Sequence, residues 1–144
     1  MSYATYDLTL KRIFETSVSR AKRWHPGGIE EWSALEWAGA MCGEAGEAAN
    51  AAKKLRRIEL SMQNIDKRAM PLTTEAEAKL LVAQEACDTI LYAILLLARV
   101  GIIDPEQILC DVFDSKSEEY GFPERLGPPK LTNAFPPKDI IVRL

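Results

Sequence analysis

Hydrophobic residues recur along most of the chain at the three-to-four-residue spacing of a helix, and no stretch alternates long enough to predict a sheet. The first predicted helix covers about residues 6–24, where Leu10, Phe14, Val18 and Ala21 form one apolar face between charged residues. The sequence His25-Pro26-Gly27-Gly28 ends it, because proline cannot continue a helix and glycine favours a turn. The pattern predicts an all-α protein.

Two longer helices follow, and each opens with the same local signal. Ser33-Ala-Leu-Glu36 and Thr74-Glu-Ala-Glu77 are capping boxes, in which the first residue and the glutamate three positions later satisfy each other's backbone N–H groups. We expect the second helix to reach residues 57–60 and the third to reach about residue 100, where Gly101 suits the left-handed position after a helix. The polar segment 61–73 is predicted to be a loop, so the two long helices should pack antiparallel.

A shorter fourth helix completes the predicted bundle. It starts at Asp104-Pro105-Glu-Gln107, which combines an N-cap with proline at the first helical position, and it runs to about Tyr120. Five of the eight prolines lie in the last 23 residues, which favours an extended chain there. We therefore predict a four-helix bundle domain over residues 1–127 and an extended proline-rich tail over residues 128–144.

Composition narrows the functional class. The chain has 144 residues, enough for one domain, and its net charge of −3 gives no broad basic surface for nucleic acid and no polybasic membrane anchor. The N-terminus lacks an apolar signal region, and the longest apolar stretch, residues 89–100, is shorter than the roughly 20 residues of a membrane span. We expect a cytoplasmic protein with no membrane partner.

The cysteine pattern does not suggest a disulfide framework or a zinc site. Cys42, Cys87 and Cys110 are odd in number and widely spaced, and each falls among apolar neighbours in a predicted helix. Reduced, buried cysteines are the natural expectation. No CxxC pair is present and His25 is the only histidine, so zinc is disfavoured.

Two acidic pairs stand out on the long helices. Glu44 and Glu47 are three residues apart on the second helix, and Glu85 and Asp88 repeat that spacing on the third, so each pair lies on one helical face. Such pairs are commonplace on solvated surfaces. Here, however, the segment Leu80–Leu97 is apolar nearly all round, which is typical of a buried helix.

Buried carboxylates need a counter-charge, because an unpaired buried acid costs several kcal/mol. A divalent cation between the two pairs would supply it, and ligands that are all oxygen suit Mg²⁺ or Mn²⁺. We therefore predict a metal site formed by Glu44, Glu47, Glu85 and Asp88. A di-iron site is disfavoured, because Asp88 stands where the histidine of a Glu-x-x-His motif would be.

At these residues the chain resembles the MazG-like all-α nucleoside triphosphate pyrophosphohydrolases. Their shared pattern is E-E-x-x-E followed by E-x-x-D, and here it reads Gly43-Glu44-Ala-Gly-Glu47 and Glu85-Ala-Cys-Asp88. Gly43 replaces the first glutamate, as in the dCTP-pyrophosphatase-like branch. The resemblance covers roughly residues 33–127 and includes Phe113-Asp-Ser-Lys-Ser117-Glu-Glu-Tyr-Gly121-Phe-Pro-Glu-Arg125-Leu, which is similar to the F-N-x-x-S-E-x-x-G-F-P-E-R-L ending of phage and bacterial MazG-like proteins, with Asp114 where asparagine is usual.

The resemblance implies Mg²⁺-dependent hydrolysis between the α- and β-phosphates of a nucleoside triphosphate. The four acids would then be the metal ligands, and one of the glutamates would act as general base. Further candidates for contacts to the substrate are Asn50, Lys53, Lys54, Lys116, Arg125 and Trp37. For the lysines, solvated surface charges are an equal alternative, and for Trp37, as for Trp24 and Trp32, burial is the more frequent outcome.

Other functions remain open from the sequence. A related enzyme, such as a dUTPase or a phosphoribosyl-ATP pyrophosphohydrolase, would use another nucleotide, and a catalytically inactive helical interaction module would keep only the fold. The apolar faces of the long helices are broad for two short helices to cover, so we expect a homodimer or, by family analogy, a homotetramer.

Overall fold

The computed structural model describes residues 8–61 and 74–127, and within them the protein is all-helical with no strand, which confirms the predicted fold class. The helices are α1 (Leu10–Trp24), α2 (Ala34–Glu59), α3 (Glu75–Arg99) and α4 (Pro105–Tyr120). A short 3-10 helix, Gly28–Glu30, lies between α1 and α2. The predicted tail, residues 128–144, and most of the predicted loop after α2 lie outside the described residues.

Side-chain caps fix where the helices begin. The capping boxes at Ser33 and Thr74 are both formed, with the Ser33 hydroxyl accepting from the Glu36 N–H at 3.3 Å and the Thr74 hydroxyl accepting from the Glu77 N–H at 3.2 Å. Thr9 caps α1, so this helix starts at Leu10 and not near residue 6 as predicted. The hydroxyl of Thr9 accepts a hydrogen bond from the backbone N–H of Arg12 in the first turn, so the helix begins after Thr9.

Helix ends follow the expected glycine chemistry. Gly101 follows α3 with φ of 85°, and Gly121 follows α4 with φ of 71°. Both lie in the left-handed region, where a residue with a Cβ is strained and glycine is not. The predicted ends of α3 and α4 are confirmed to within one residue.

The two long helices form a hairpin with the most extensive helix–helix contact in the described chain. Trp37, near the start of α2, lies 6.2 Å from Tyr92 in the second half of α3. At the other end, the charge of Glu59, the last residue of α2, acts on Lys79 near the start of α3. Since the start of one helix faces the end of the other, the pair is antiparallel, as predicted.

The core of this part of the chain lies where α1, the 3-10 helix and the hairpin meet. Its buried residues are Ala21, Trp37 and Leu95, and partly buried aromatic and aliphatic side chains pack around them. The indole N–H of Trp37 donates to the Ile29 carbonyl at 2.9 Å, which satisfies the one polar group that this large side chain buries. Arg99 ties the end of α3 to the same region by donating to the Trp32 carbonyl at 2.8 Å.

The chain divides into two compact units, one up to Ile103 and one from Asp104 onward. The division falls inside the single domain predicted over residues 1–127. In the second unit, the buried carboxylate of Asp114 accepts hydrogen bonds from the backbone N–H groups of Leu126 at 2.8 Å and Gly127 at 3.4 Å. These bonds hold the segment after α4 against the helix.

Two expectations about burial are wrong. Cys42 and Cys87 are exposed and Cys110 is half-buried, and all three are free cysteines. On α3, Leu80 and Ile90 are 60% and 54% exposed, so burial is confined to other positions of the helix. The reason is that α1, α2 and the 3-10 helix cover only part of the circumference of α3, so side chains on its remaining side stay exposed.

Helix α3 also bears on the expectation about membranes. Among the described residues it is the one helix long and apolar enough to cross a bilayer, and 11% of its most apolar window is buried. Core helices of soluble proteins meet the same criterion of length and composition. Length and composition therefore do not test the expectation that the protein has no membrane partner, which stays a prediction.

Candidate metal centre

Three of the four predicted metal ligands come together between the long helices. Glu44 on α2 and Glu85 and Asp88 on α3 each offer a carboxylate oxygen, and these three oxygens lie within 4.8 Å of one another. The spacing of three residues puts Glu85 and Asp88 on one face of α3, one turn apart. The antiparallel packing then brings Glu44 opposite them, because it is about as far along α2 from Trp37 as Glu85 is along α3 from Tyr92.

The cluster is more open than the sequence suggested. Glu44 and Glu85 are half-buried and Asp88 is exposed, so the acids are open to solvent and do not sit in a closed interior. Glu47 is exposed and lies outside the group of three. Burial alone therefore does not force a counter-ion, and the convergence of like charges is the stronger argument.

The pKa of Glu44 is affected by the neighbouring acids. Loss of hydration, and then the negative charges of Glu47, Asp88 and Glu85, raise the pKa of Glu44 above its usual value of 4.5. Within residues 8–61 and 74–127, none of these four carboxylates forms an ion pair with a lysine or arginine. The repulsion is thus not relieved by any neighbouring side chain that the structure describes.

The donor set fits a hard divalent cation. Carboxylate oxygens are the ligands that Mg²⁺ and Mn²⁺ prefer. Opposite ligands of an octahedral Mg²⁺ ion are about 4.2 Å apart, given metal–oxygen distances of about 2.1 Å. At most one pair among three ligands can be opposite, so the oxygens of the cluster, within 4.8 Å of one another, would have to close to about 3.0 Å, the separation of neighbouring ligands, in the remaining pairs when an ion binds.

The predicted substrate contacts on α2 differ in their position relative to the acids. Lys54 follows Glu47 by seven residues and therefore lies on the same side of the helix, about 10 Å farther along its axis. Asn50 lies between them on that side and is exposed. Lys53 is turned about 100° away from Lys54, so it points along a different face.

The other three predicted contacts have partners or packing of their own. Lys116 and Arg125 belong to the second unit, where Lys116 pairs with Glu119 at 2.6 Å and Arg125 donates to the carbonyls of Phe122 and Glu124 at 2.7 Å. Trp37 is 1% exposed. Burial leaves no face of its ring for a nucleotide base, so Trp37 has a role in the core.

The arginines of α1 are not among the site residues predicted from the sequence. Arg12 and Arg20 line a groove between α1 and α3, together with Leu91, which lies three residues after Asp88. A signal was available, because α1 carries five basic residues and one acidic residue in a chain of net negative charge. The net charge of the whole chain does not reveal this local excess of basic residues on α1.

Comparisons with known proteins add no assignment. No protein-family model matches the chain, and searches of curated proteins and of solved structures find no match.

Proposed function

We propose that the protein is a Mg²⁺-dependent nucleoside triphosphate pyrophosphohydrolase of the MazG-like kind. The observation that carries the proposal is the meeting of Glu44, Glu85 and Asp88 within 4.8 Å, from the two motifs in which the family resemblance lies. Acidic pairs on two helices have no general reason to face each other, since repulsion between them disfavours it. A bound cation gives that reason.

The residues divide into two roles. Glu44, Glu85 and Asp88 would hold Mg²⁺, and with the ion bound the triphosphate is neutralised, its α-phosphorus is polarised and the pKa of an attacking water is lowered. Glu47 lies outside the group of three but close enough for its charge to act on Glu44. We assign it the role of accepting the proton of the water that attacks the α-phosphorus, with rotation into the ligand set as its alternative role.

The reaction is balanced without a further reactant. Water adds to the α-phosphorus, the bond from that phosphorus to the bridging oxygen breaks, and the products are a nucleoside monophosphate and pyrophosphate. The role of Lys54 and Asn50 would be to contact the phosphates or the sugar from the side of α2 that carries Glu47.

The decisive assay measures pyrophosphate release from a panel of nucleoside and deoxynucleoside triphosphates, with Mg²⁺ and with a chelator. We expect release from at least one substrate in Mg²⁺ only. Glu85→Gln and Asp88→Asn should each lower kcat/KM at least about 100-fold, because removing even supporting groups of a metal site costs 10–100-fold.

Glu75→Gln is the matched control, since it also removes one acid from α3 but at an exposed site in the first turn. It should change kcat/KM less than about twofold. Release that persists in the chelator, or that survives equally in Asp88→Asn and Glu75→Gln, would refute the proposal. The same panel separates this activity from that of a dUTPase or a phosphoribosyl-ATP pyrophosphohydrolase.

A catalytically inactive interaction module is the alternative from another functional class. The exposed apolar side of α3, with Leu80 and Ile90, is the observation that favours it. Calorimetric titration with Mg²⁺ or Mn²⁺ discriminates between the two. Binding that is lost in Asp88→Asn supports the enzyme, whereas no binding, or binding unchanged in that variant, supports the module.

A further inference from the structure

Helix α1 carries a local charge opposite in sign to that of the chain. It contains five basic residues, all exposed, and a single acid, while the whole chain has 18 basic and 21 acidic residues. The acid, Glu15, pairs with Lys11 at 4.0 Å. The exposed basic residues therefore concentrate positive charge on α1, and a concentration of positive charge attracts anions.

Two of these arginines border a groove between α1 and α3. The groove has a volume of about 370 Å³, and its walls include Arg12, Thr16 and Arg20 from α1 and Leu91 from α3. The Cα atoms of Arg12 and Arg20 are about 12 Å apart along the helix, since they are eight residues apart. The guanidinium of Arg20 lies 4.9 Å from the centre of the Trp24 ring, which gives this long side chain a preferred position.

The groove lies close to the acidic cluster. Leu91 follows Asp88 by three residues, so it is about 4.5 Å farther along α3 and about 60° around it. Both sites belong to the same compact unit. On α3, the acidic pair is thus followed within one turn by Leu91, the residue through which this helix borders the groove that Arg12 and Arg20 line.

We propose that Arg12 and Arg20 bind phosphate groups of the nucleotide substrate. A triphosphate in such a site needs both a cation and hydrogen-bond donors. The cation neutralises part of its negative charge, and the donors bind the phosphate oxygens that do not contact the cation. The planar fork of arginine suits phosphate, and Thr16, whose side chain carries a hydroxyl, lines the same groove. This inference rests on the proposed pyrophosphohydrolase function and adds to it the residues that select a phosphorylated ligand.

Binding of an α,β-methylene nucleoside triphosphate, which resists cleavage at the scissile position, tests the inference. Calorimetry would be run on the full chain with Mg²⁺ and, separately, with EDTA, for the wild type and for Arg12→Gln, Arg20→Gln and the double variant. Loss of one charge-assisted contact to phosphate should weaken binding about tenfold or more. We expect that loss for each single variant, a larger loss for the double variant, and weaker binding by the wild type at higher salt.

Arg23→Gln is the matched control, because Arg23 is an exposed arginine on α1 that does not line the groove. Its affinity should stay within about twofold of the wild type. The inference is overturned if the analogue does not bind, or if Arg12→Gln and Arg20→Gln bind it as the wild type or Arg23→Gln does. Circular dichroism of each variant identifies any loss of the helical fold, and the two single variants test the groove independently.

The outcome for the groove can be told apart from the outcome for the enzyme. Arginine-dependent binding in EDTA without any pyrophosphate release would keep the phosphate groove and remove the catalytic function. Release of pyrophosphate with KM unchanged in Arg12→Gln and Arg20→Gln would keep the enzyme and remove the groove. If both proposals hold, those variants raise KM more than they lower kcat, because they act on phosphates that are not being transferred.

Discussion

At the scale of single residues, Glu44 reports most directly on the acidic cluster. Its pKa is raised, so its charged form is less favourable in the folded protein than in the unfolded chain. Without metal, this carboxylate therefore lowers folding stability progressively as the pH rises from its usual value of 4.5 through the raised value. Below 4.5 the residue is protonated in both states and the penalty disappears.

We predict that Glu44→Gln raises the melting temperature in EDTA at pH 7, and that the gain shrinks as the pH falls to 4.5. Glutamine keeps the shape of the side chain and removes the repelling charge. With Mg²⁺ the order should reverse, because a ligand is lost and the wild type alone gains stability by binding. Thermal melts at both pH values, with Glu59→Gln on α2 as a control, test this; a lower melting temperature for Glu44→Gln in EDTA contradicts it.

Trp37 leads to a different kind of prediction. Because it is buried and hydrogen-bonded to Ile29, Trp37→Ala should cost about 3–5 kcal/mol of unfolding free energy. Trp24 is 57% exposed, so Trp24→Ala should cost about 1 kcal/mol or less, mainly from the contact with Arg20. Urea unfolding measures both values, and equal losses would show that the Trp37 site is not a packed core.

Features of single residues were predictable where they depend on spacing along one helix. They were not predictable where they depend on which other elements pack over the residue. The Glu85–Asp88 pair shares a face because of helical geometry, which the sequence contains. The position of Glu44 opposite them depends on the register between α2 and α3. The local sequence does not determine this register, and only the resemblance to a family with the same two motifs predicted it. Exposure of Cys42 and Cys87 depends on which elements pack where, which hydrophobicity alone does not encode.

At the scale of elements, the caps carry a measurable part of helix stability. Ser33→Ala and Thr74→Ala each remove an acceptor for a first-turn N–H and leave the partner glutamate without its side-chain contact. Each should lower the unfolding free energy by about 1 kcal/mol. Ser19→Ala, at an exposed position within α1, should change it by no more than about 0.5 kcal/mol.

The same chemistry explains which element boundaries were predictable. The starts of α2 and α3 were predicted to the residue, because a capping box is a local sequence signal. The start of α1 was placed too early, since Thr9 has no glutamate partner three residues on and was not read as a cap. The 3-10 helix Gly28–Glu30 was not predicted, because its position depends on contacts of Ile29 and Trp37 with the core.

At the scale of the whole molecule, the uncovered side of α3 is the feature that one chain does not explain. Leu80, Cys87 and Ile90 are exposed and spaced seven and three residues apart, so they lie along one side of the helix. On α2, Leu35 is 81% exposed and Cys42 follows it by seven residues, again on one side. Apolar stripes of this kind on both helices of a hairpin are typical of an interface between copies.

We predict that the protein is at least a homodimer, which buries these stripes against a second copy. Sedimentation velocity at micromolar concentration should give about twice the chain mass of 16.1 kDa or a higher multiple. Ile90→Glu should shift the distribution toward the single chain, because a charge in an apolar interface is left without a partner. Ser19→Glu adds the same charge to the exposed side of α1 and should leave the mass unchanged.

The two results that contradict this prediction have different meanings. A wild-type mass of 16.1 kDa at micromolar concentration would leave the stripe on α3 as a surface for another partner. A protein that stays in solution only in detergent would instead favour contact of α3 with a membrane, because α3 is long and apolar enough to cross one. A dimer, by contrast, would leave the acidic cluster uncovered, because Glu44, Glu85 and Asp88 lie on sides of their helices other than those that carry the exposed stripes.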